Sequence, residues 1–326
     1  MVSYTVIKSS NARIASALPS GLVAVFVGAT NGIGETTLRE FARYTRQPRV
    51  YFVGRSQEAG TRIAGECEAL NPEGKFTFIK ADISLMRVVD DVCRDIKSKE
   101  KAINVLFLSQ GTMITGVGML MLASEQYPNP QTLNADTAEG LNLAGALPIY
   151  SRNRFAVNLL PLLQRATGLR RVVSCFTATK EGPVFSDDWQ VRSLHKGFVK
   201  SGNTRGTTGG AMMALKAVSA ILGPFLYMNL RECGERHLFL CTSARYPAGE
   251  AANAADGVPL ADGLVVARGT DGKDGSGCYS VDAQGESAGL AVEETLAKFR
   301  KEGLVEKIWE NTEEEFVRIT GTAVGD

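Results

Sequence analysis

The chain has 326 residues, 44% hydrophobic and 22% charged, with a formal net charge of +1. Such a chain can bury one large core as a single domain over residues 1–326, and its charge balance offers no track for nucleic acid. Two histidines, His195 and His237, and six cysteines without C-x-x-C spacing argue against a metal site or a disulfide framework and leave the thiols as reduced core residues. Residues 1–20 are polar and lack the apolar core of a secretory signal. The longest apolar candidate, Ala211 to Leu230, is broken by Lys216, Gly223, Pro224 and Asn229, so no membrane span is expected and the protein reads as soluble and cytoplasmic.

Leu22 to Gly34, LVAVFVGATNGIG, is a β-prone run that ends in Gly28, Gly32 and Gly34 ahead of a helix-like segment, Glu35 to Tyr44. An apolar strand of this kind suits the buried centre of a parallel sheet. The glycines let the backbone turn sharply and approach an anion at the helix N-terminus. An ordinary βα turn is the plain alternative. No lysine follows Gly34, which excludes the G-x-x-x-x-G-K-[ST] phosphate loop, and the spacing is not G-x-G-x-x-G either.

The next strand, Arg49 to Val53, ends in Gly54, Arg55 and Ser56. An acidic side chain here accepts from a free ribose 2′-hydroxyl, whereas an arginine suits a 2′-phosphate, so Arg55 favours a dinucleotide that carries a 2′-phosphate over one that does not. The alternative is a solvated loop arginine. Thr61 to Leu70 and Leu85 to Ser98 suit helices on either side of a third strand, Lys75 to Lys80, which leads into Asp82 and Ser84. The fourth strand, Ile103 to Leu108, ends in Ser109, Gln110 and Gly111.

In this order and spacing the pieces resemble the short-chain dehydrogenase/reductase family, whose cofactor loop reads T-G-x-x-x-G-x-G. Val27 stands in place of the threonine, and Thr30, Asn31 and Ile33 fill the loop around the glycines. The resemblance implies a nicotinamide dinucleotide, an aspartate at Asp82 that hydrogen-bonds the adenine, and an N-A-G turn after strand four. Here that turn keeps its glycine as Gly111 and replaces the asparagine with Ser109. Asp82 before Ser84 also reads as an ordinary helix cap.

Tyr150 to Gln164 has the apolar face of a helix packed on the sheet, and Arg170 to Phe176 reads as strand five. The βαβα alternation predicts an α/β, doubly wound, Rossmann-like parallel sheet. Its cofactor half spans about residues 21–115, an apparent insertion about 116–134, and a divergent substrate and C-terminal half about 178–326. Gly263 to Ala267 and Gly277 to Val281 look like the strands of a C-terminal hairpin around Asp271 to Ser276. That turn lacks the spaced acidic ligands of a calcium loop. Glu293 to Ile319 supplies two charged amphipathic helices.

The family resemblance further implies a serine at the end of strand five and a Y-x-x-x-K on the next helix. A lysine cation favours the tyrosine phenolate, and the serine hydroxyl polarises the substrate oxygen. Aligned with the family's N-V-S-S ending, the serine role falls to Thr177, with Ser174 as the other candidate. No Y-x-x-x-K follows strand five. Tyr150 with Arg154 and Tyr227 with Arg231 imitate the spacing, but arginine is a poor proton relay and both pairs read as structural.

His195 to Ser201 resembles the family's loop after strand six, yet only residues 177–194 separate it from strand five, too few for the missing helix and strand. A diverged chain and a mis-spliced gene fit this pattern equally. Gly202 to Gly210 reads as a substrate lid or as a connector left by the deletion. The sequence therefore points to an NADP(H)-dependent oxidoreductase acting on a carbonyl or alcohol of a small-molecule substrate, compatible with specialised metabolism and with a homo-oligomer. An NADP-binding pseudoenzyme, serving as sensor or scaffold, and a non-redox enzyme reusing the pocket are the alternatives.

Overall fold

The computed structural model describes residues 2–111, 136–176, 228–249 and 256–325. Two helical segments, α1 (Tyr4–Ala12) and α2 (Ile14–Ala17), precede β1 (Val23–Val27). The chain then alternates through α3 (Gly32–Tyr44), β2 (Arg49–Gly54), α4 (Gln57–Leu70), β3 (Lys75–Lys80), α5 (Met86–Lys99) and β4 (Val105–Leu108). After residues 112–135, a π-helical turn at Ala146–Ser151 feeds α6 (Arg152–Arg165) and then β5 (Arg171–Ser174). Among the described residues, apart from a single helical turn at Leu143–Gly145, the remaining helices are α7 (Leu230–Thr242), α8 (Leu290–Lys301) and α9 (Leu304–Thr320).

The five strands form one parallel sheet in the order β3-β2-β1-β4-β5, with Val27 in register with both Val53 and Leu108. Successive strand residues point to opposite faces, and both faces are covered. Ala24, Phe26, Phe52 and Phe107 pack with Leu38, Phe41, Ile63, Leu238 and Cys241 from α3, α4 and α7. Val23, Val25, Val27, Val53, Leu106 and Leu108 pack on the other face with Val89, Val92, Ile96, Phe155 and Leu159 from α5 and α6. This is the expected doubly wound Rossmann-like fold. It explains why β1 and β4 are uninterrupted apolar runs: a strand with two buried faces has no solvent side to mark with polar residues.

Two expectations about the C-terminal part change. Gly263 to Ala267 and Gly277 to Val281 are not strands. Gly263, Gly272, Gly275, Gly277 and Gly285 all take positive φ, which interrupts the extended backbone, and only isolated antiparallel bridges remain, Arg268 with Asp274 and Val281 with Ser287. Of the six cysteines, all unpaired, Cys278 is exposed rather than in the core. The two terminal helices are present as expected; Phe316 and Ile319 of α9 bury against Met86 and Leu141. No described helix is long and apolar enough to cross a membrane.

Candidate functional site

Everything the sequence singled out for cofactor binding comes together at the carboxyl ends of β1 to β4. Gly28 leaves β1 with φ of 80°, and Gly32 starts α3 with φ of 62°. A Cβ on Gly28 would lie 2.6 Å from the backbone N of Gln110 and 2.7 Å from its Cα. One on Gly34 would lie 2.8 Å from the Cα of Ala29, 2.9 Å from the Gly28 carbonyl oxygen, and closer still to Ser109 Oγ. The loop is thus pressed flat against the turn after β4, and only glycine fits. Asn31 caps α3, its Oδ1 accepting from the Gly32 N–H at 2.9 Å. The first turn of α3 is left aimed over the strand ends, the arrangement that receives a pyrophosphate.

Ser109 fulfils a local role in place of the expected asparagine. Its hydroxyl lies 2.9 Å from the Val27 carbonyl and 3.3 Å from that of Gly28, tying the β4 turn to the glycine loop. Thr30 packs over Gly54 at the end of β2, where a Cβ would collide with its side chain. Beyond Gly54, Arg55 is exposed. Asp82 after β3 is exposed too, but it does not cap α5: its Oδ1 accepts from the Ser84 N–H at 3.2 Å and from the Ser84 hydroxyl at 2.8 Å, a local turn. Glu139 caps α5 instead, accepting from the N–H groups of Met86 and Arg87 at 2.5 and 3.1 Å.

Beside β4 lies a polar cluster that the sequence reading missed. Arg152, 4% exposed, donates through Nε and Nη2 to the Gln110 carbonyl at 3.1 and 2.5 Å and through Nη1 to Ser174 Oγ at 2.8 Å. Its guanidinium lies 5.5 Å from the centre of the Phe176 ring. Burial pushes Arg152 down to about 10. The Gln110 side chain donates to Ser151 Oγ at 3.4 Å, and its Oε1 has no partner among the described residues. The signal available in the sequence was position: Arg152 shares the i, i+3, i+7 stripe with Phe155 and Leu159, a place for an apolar side chain.

The residues expected to carry catalysis divide. Ser174 ends β5 and takes the Arg152 hydrogen bond, while Thr177, residues 116–134, His195 to Ser201, Gly202 to Gly210 and Tyr227 lie outside the described residues. Tyr150 and Arg154 are structural: the Tyr150 hydroxyl donates to Asn311 of α9 at 3.0 Å, and Arg154, fully buried, pairs with Asp90 at 2.6 Å. Tyr4 and Lys8 have Y-x-x-x-K spacing, but they lie on α1, where the ammonium sits over the tyrosine ring. Tyr4 packs with Val2, Ile7, Phe239 and Tyr246, a cluster with no strand residue. A surface cleft of about 520 Å³ among Gly21, Arg49, Lys99 and Arg165 opens at the amino edge of the sheet, the end opposite to where open parallel sheets bind nucleotides.

Comparison with known proteins agrees with this fold. A family model described as short chain dehydrogenase matches residues 22–134. Oxidoreductase AN1596 of Emericella nidulans is 33% identical, covering 96% of this chain and 97% of its own. The NmrA-like family domain-containing oxidoreductase notO of an Aspergillus species is 31% identical, covering 96% and 94%. Among solved structures, the Pseudomonas aeruginosa RhlG/NADP active-site complex shares the fold, with a TM-score of 0.50, 19% identity, and coverage of 77% of this chain and 98% of that one.

Proposed function

The chain belongs to the short-chain dehydrogenase/reductase family, and from that premise we propose that it is an NADP(H)-dependent oxidoreductase acting on a carbonyl or alcohol of a small organic molecule. The observation that carries the reading is the glycine loop, flattened against the β4 turn where any Cβ would collide, with an exposed arginine at the end of β2. Gly28, Thr30, Asn31, Gly32, Ile33 and Gly34 form the pyrophosphate cradle, Ser109 and Gly111 its floor, Arg55 the contact to the 2′-phosphate and Asp82 that to the adenine. Hydride transfer is the chemistry that a nicotinamide supplies when bound. The chain's part is to hold that ring and orient a substrate oxygen, a role for Ser174 or Thr177.

Titration of the protein with NADPH and NADH, read by nucleotide fluorescence, tests this. NADPH is expected to bind in the micromolar range, and Arg55→Ala to weaken it about tenfold while leaving NADH unchanged. Equal affinities, or no effect of the substitution, would refute the NADP(H) assignment. One feature supports a second reading, an NADP-binding protein without turnover: no Y-x-x-x-K follows β5. NADPH binding with no NADPH oxidation across a panel of ketones, aldehydes and quinones would favour it.

A further inference from the structure

In an open sheet of order β3-β2-β1-β4-β5, a dinucleotide crosses the switch point between β1 and β4. With Arg55 and Asp82 at the ends of β2 and β3 taking the adenosine half, the nicotinamide half falls to the ends of β4 and β5. Among the described residues, the buried charge at that end is Arg152. It is the first residue of α6, directly after the π-helical turn, a local unwinding that recurs at functional sites, and it is held on both sides: by the Gln110 carbonyl, whose own backbone lies under Gly28, and by Ser174 Oγ.

Three of its five N–H groups are used, all on neutral oxygens, and among the described residues no carboxylate pairs with it. A cation removed from water without a counter-charge is unfavourable wherever the protein could do without it, so it belongs to a site that acquires negative charge. Because the Ser174 oxygen accepts from the guanidinium, its own O–H is free to donate outward and is a better donor for that bond.

Resting on the nicotinamide-cofactor reading above, we propose that Arg152 is a positioning residue and fixed charge that selects the reduced cofactor and sets the site for carbonyl reduction. The positive ring of NADP⁺ is repelled, the neutral ring of NADPH is not, and an oxygen gaining negative charge is drawn to Ser174. In that direction a bound NADPH would supply the hydride for the new C–H bond at the carbonyl carbon, and the oxygen, receiving the π pair beside Ser174, would take a proton from water, with the alcohol, NADP⁺ and a hydroxide released to solvent as products.

The test needs no substrate. Dissociation constants of NADPH and NADP⁺ are measured for the wild type, Arg152→Gln, Arg152→Lys and, as a charge control at the opposite end of the same helix, Arg165→Gln. Wild type should favour NADPH, and Arg152→Gln should narrow the NADP⁺ to NADPH ratio about tenfold, the order expected for one charge at short range in a partly screened interior. Arg152→Lys should retain the wild-type ratio within about twofold, and Arg165→Gln should not change it. If Arg152→Gln leaves the ratio intact, or Arg165→Gln moves it as much, the inference is wrong. Should the Arg152 variants fail to fold, the wild-type ratio decides: tighter binding of NADP⁺ than of NADPH overturns the inference. A wild type that binds neither nucleotide overturns the cofactor reading itself, which separates the two failures.

Discussion

Replacing Gly28 with alanine puts the cofactor loop to a quantitative test. Two penalties add. At φ of 80° a Cβ meets the local backbone, which costs about 1 kcal/mol or more. The same Cβ falls 2.6 and 2.7 Å from Gln110 backbone atoms and 3.0 Å from the Ser109 carbonyl carbon. None of those atoms can rotate away. Relief requires the β1 and β4 ends to part where Val27 is in register with Leu108, an overpacking penalty of roughly 1–3 kcal/mol.

The sum, about 2–4 kcal/mol, corresponds to a fall in Tm of roughly 3–6 °C in a chain of this size. NADPH affinity should fall at least about tenfold, because the loop that moves is the one proposed to meet the phosphates. Gly65 provides the contrast. It sits inside α4 with nothing within 4 Å of an added Cβ, so Gly65→Ala should stabilise by about 0.5–1 kcal/mol and leave NADPH binding unchanged. Thermal unfolding with and without NADPH measures both variants. If Gly28→Ala melts with the wild type and still binds NADPH normally, the claim that the loop is pressed against β4 is refuted.

Three further outcomes follow from the geometry. His237 donates from Nδ1 to the Cys233 carbonyl at 2.8 Å and lies edge-on to Phe107, and burial holds its pKa below the ordinary imidazole range. The unfolded chain takes up a proton near pH 6.5 that the folded chain refuses, so stability present above that pH is lost as pH falls through it, by at most about 1.4 kcal/mol per unit. Denaturant titrations at pH 7.5, 6 and 5 should show this slope in the wild type and a flatter one in His237→Phe. Arg154→Met should cost about 3–5 kcal/mol, because it strands the buried Asp90 carboxylate and frees the Thr322 and Ala323 carbonyls; amide exchange in the last residues should speed up with the loss. Tyr150→Phe removes a hydrogen bond to Asn311, about 1 kcal/mol, and should leave NADPH affinity within about twofold of wild type. A tenfold loss would place Tyr150 at the cofactor after all.

The central strands were legible in the sequence because burial on two faces writes itself as an apolar run, and the edge strand Lys75–Lys80, only partly buried, still coincides with its reading residue for residue. The glycine loop was legible for a related reason: close backbone approach admits one residue type. The C-terminal hairpin was misread because β-branched residues near Gly263 and Gly277 suggest strands, whereas the positive φ angles of five glycines decide the backbone. Helix α7 passed unread although Asn229 caps it and Cys233, Leu238 and Cys241 mark its buried face; Gly234 in its interior hides the pattern. That glycine is there for packing, since a Cβ would lie 2.6 Å from the Thr36 carbonyl oxygen of α3. Arg152 was invisible as a functional candidate because its meaning lies in partners 42 and 22 residues away.

The same sheet edge carries two different electrostatic regimes, and their difference follows from where the helices cover it. At the ends of β2 and β3, Arg55 and Asp82 are exposed, so any charge they recognise is recognised in water, where screening keeps the attraction modest and favours ligand exchange. At the ends of β4 and β5, the π-helical turn brings Ser151 and Arg152 down onto Gln110 and Ser174, all partly or fully buried, and a charge there acts at several times its strength in water. The exposed end is suited to gripping a phosphate that must also be released. The desolvated end is suited to discriminating between two forms of a ligand that differ by one charge, because its dipoles are already oriented and need not reorganise when the charge appears.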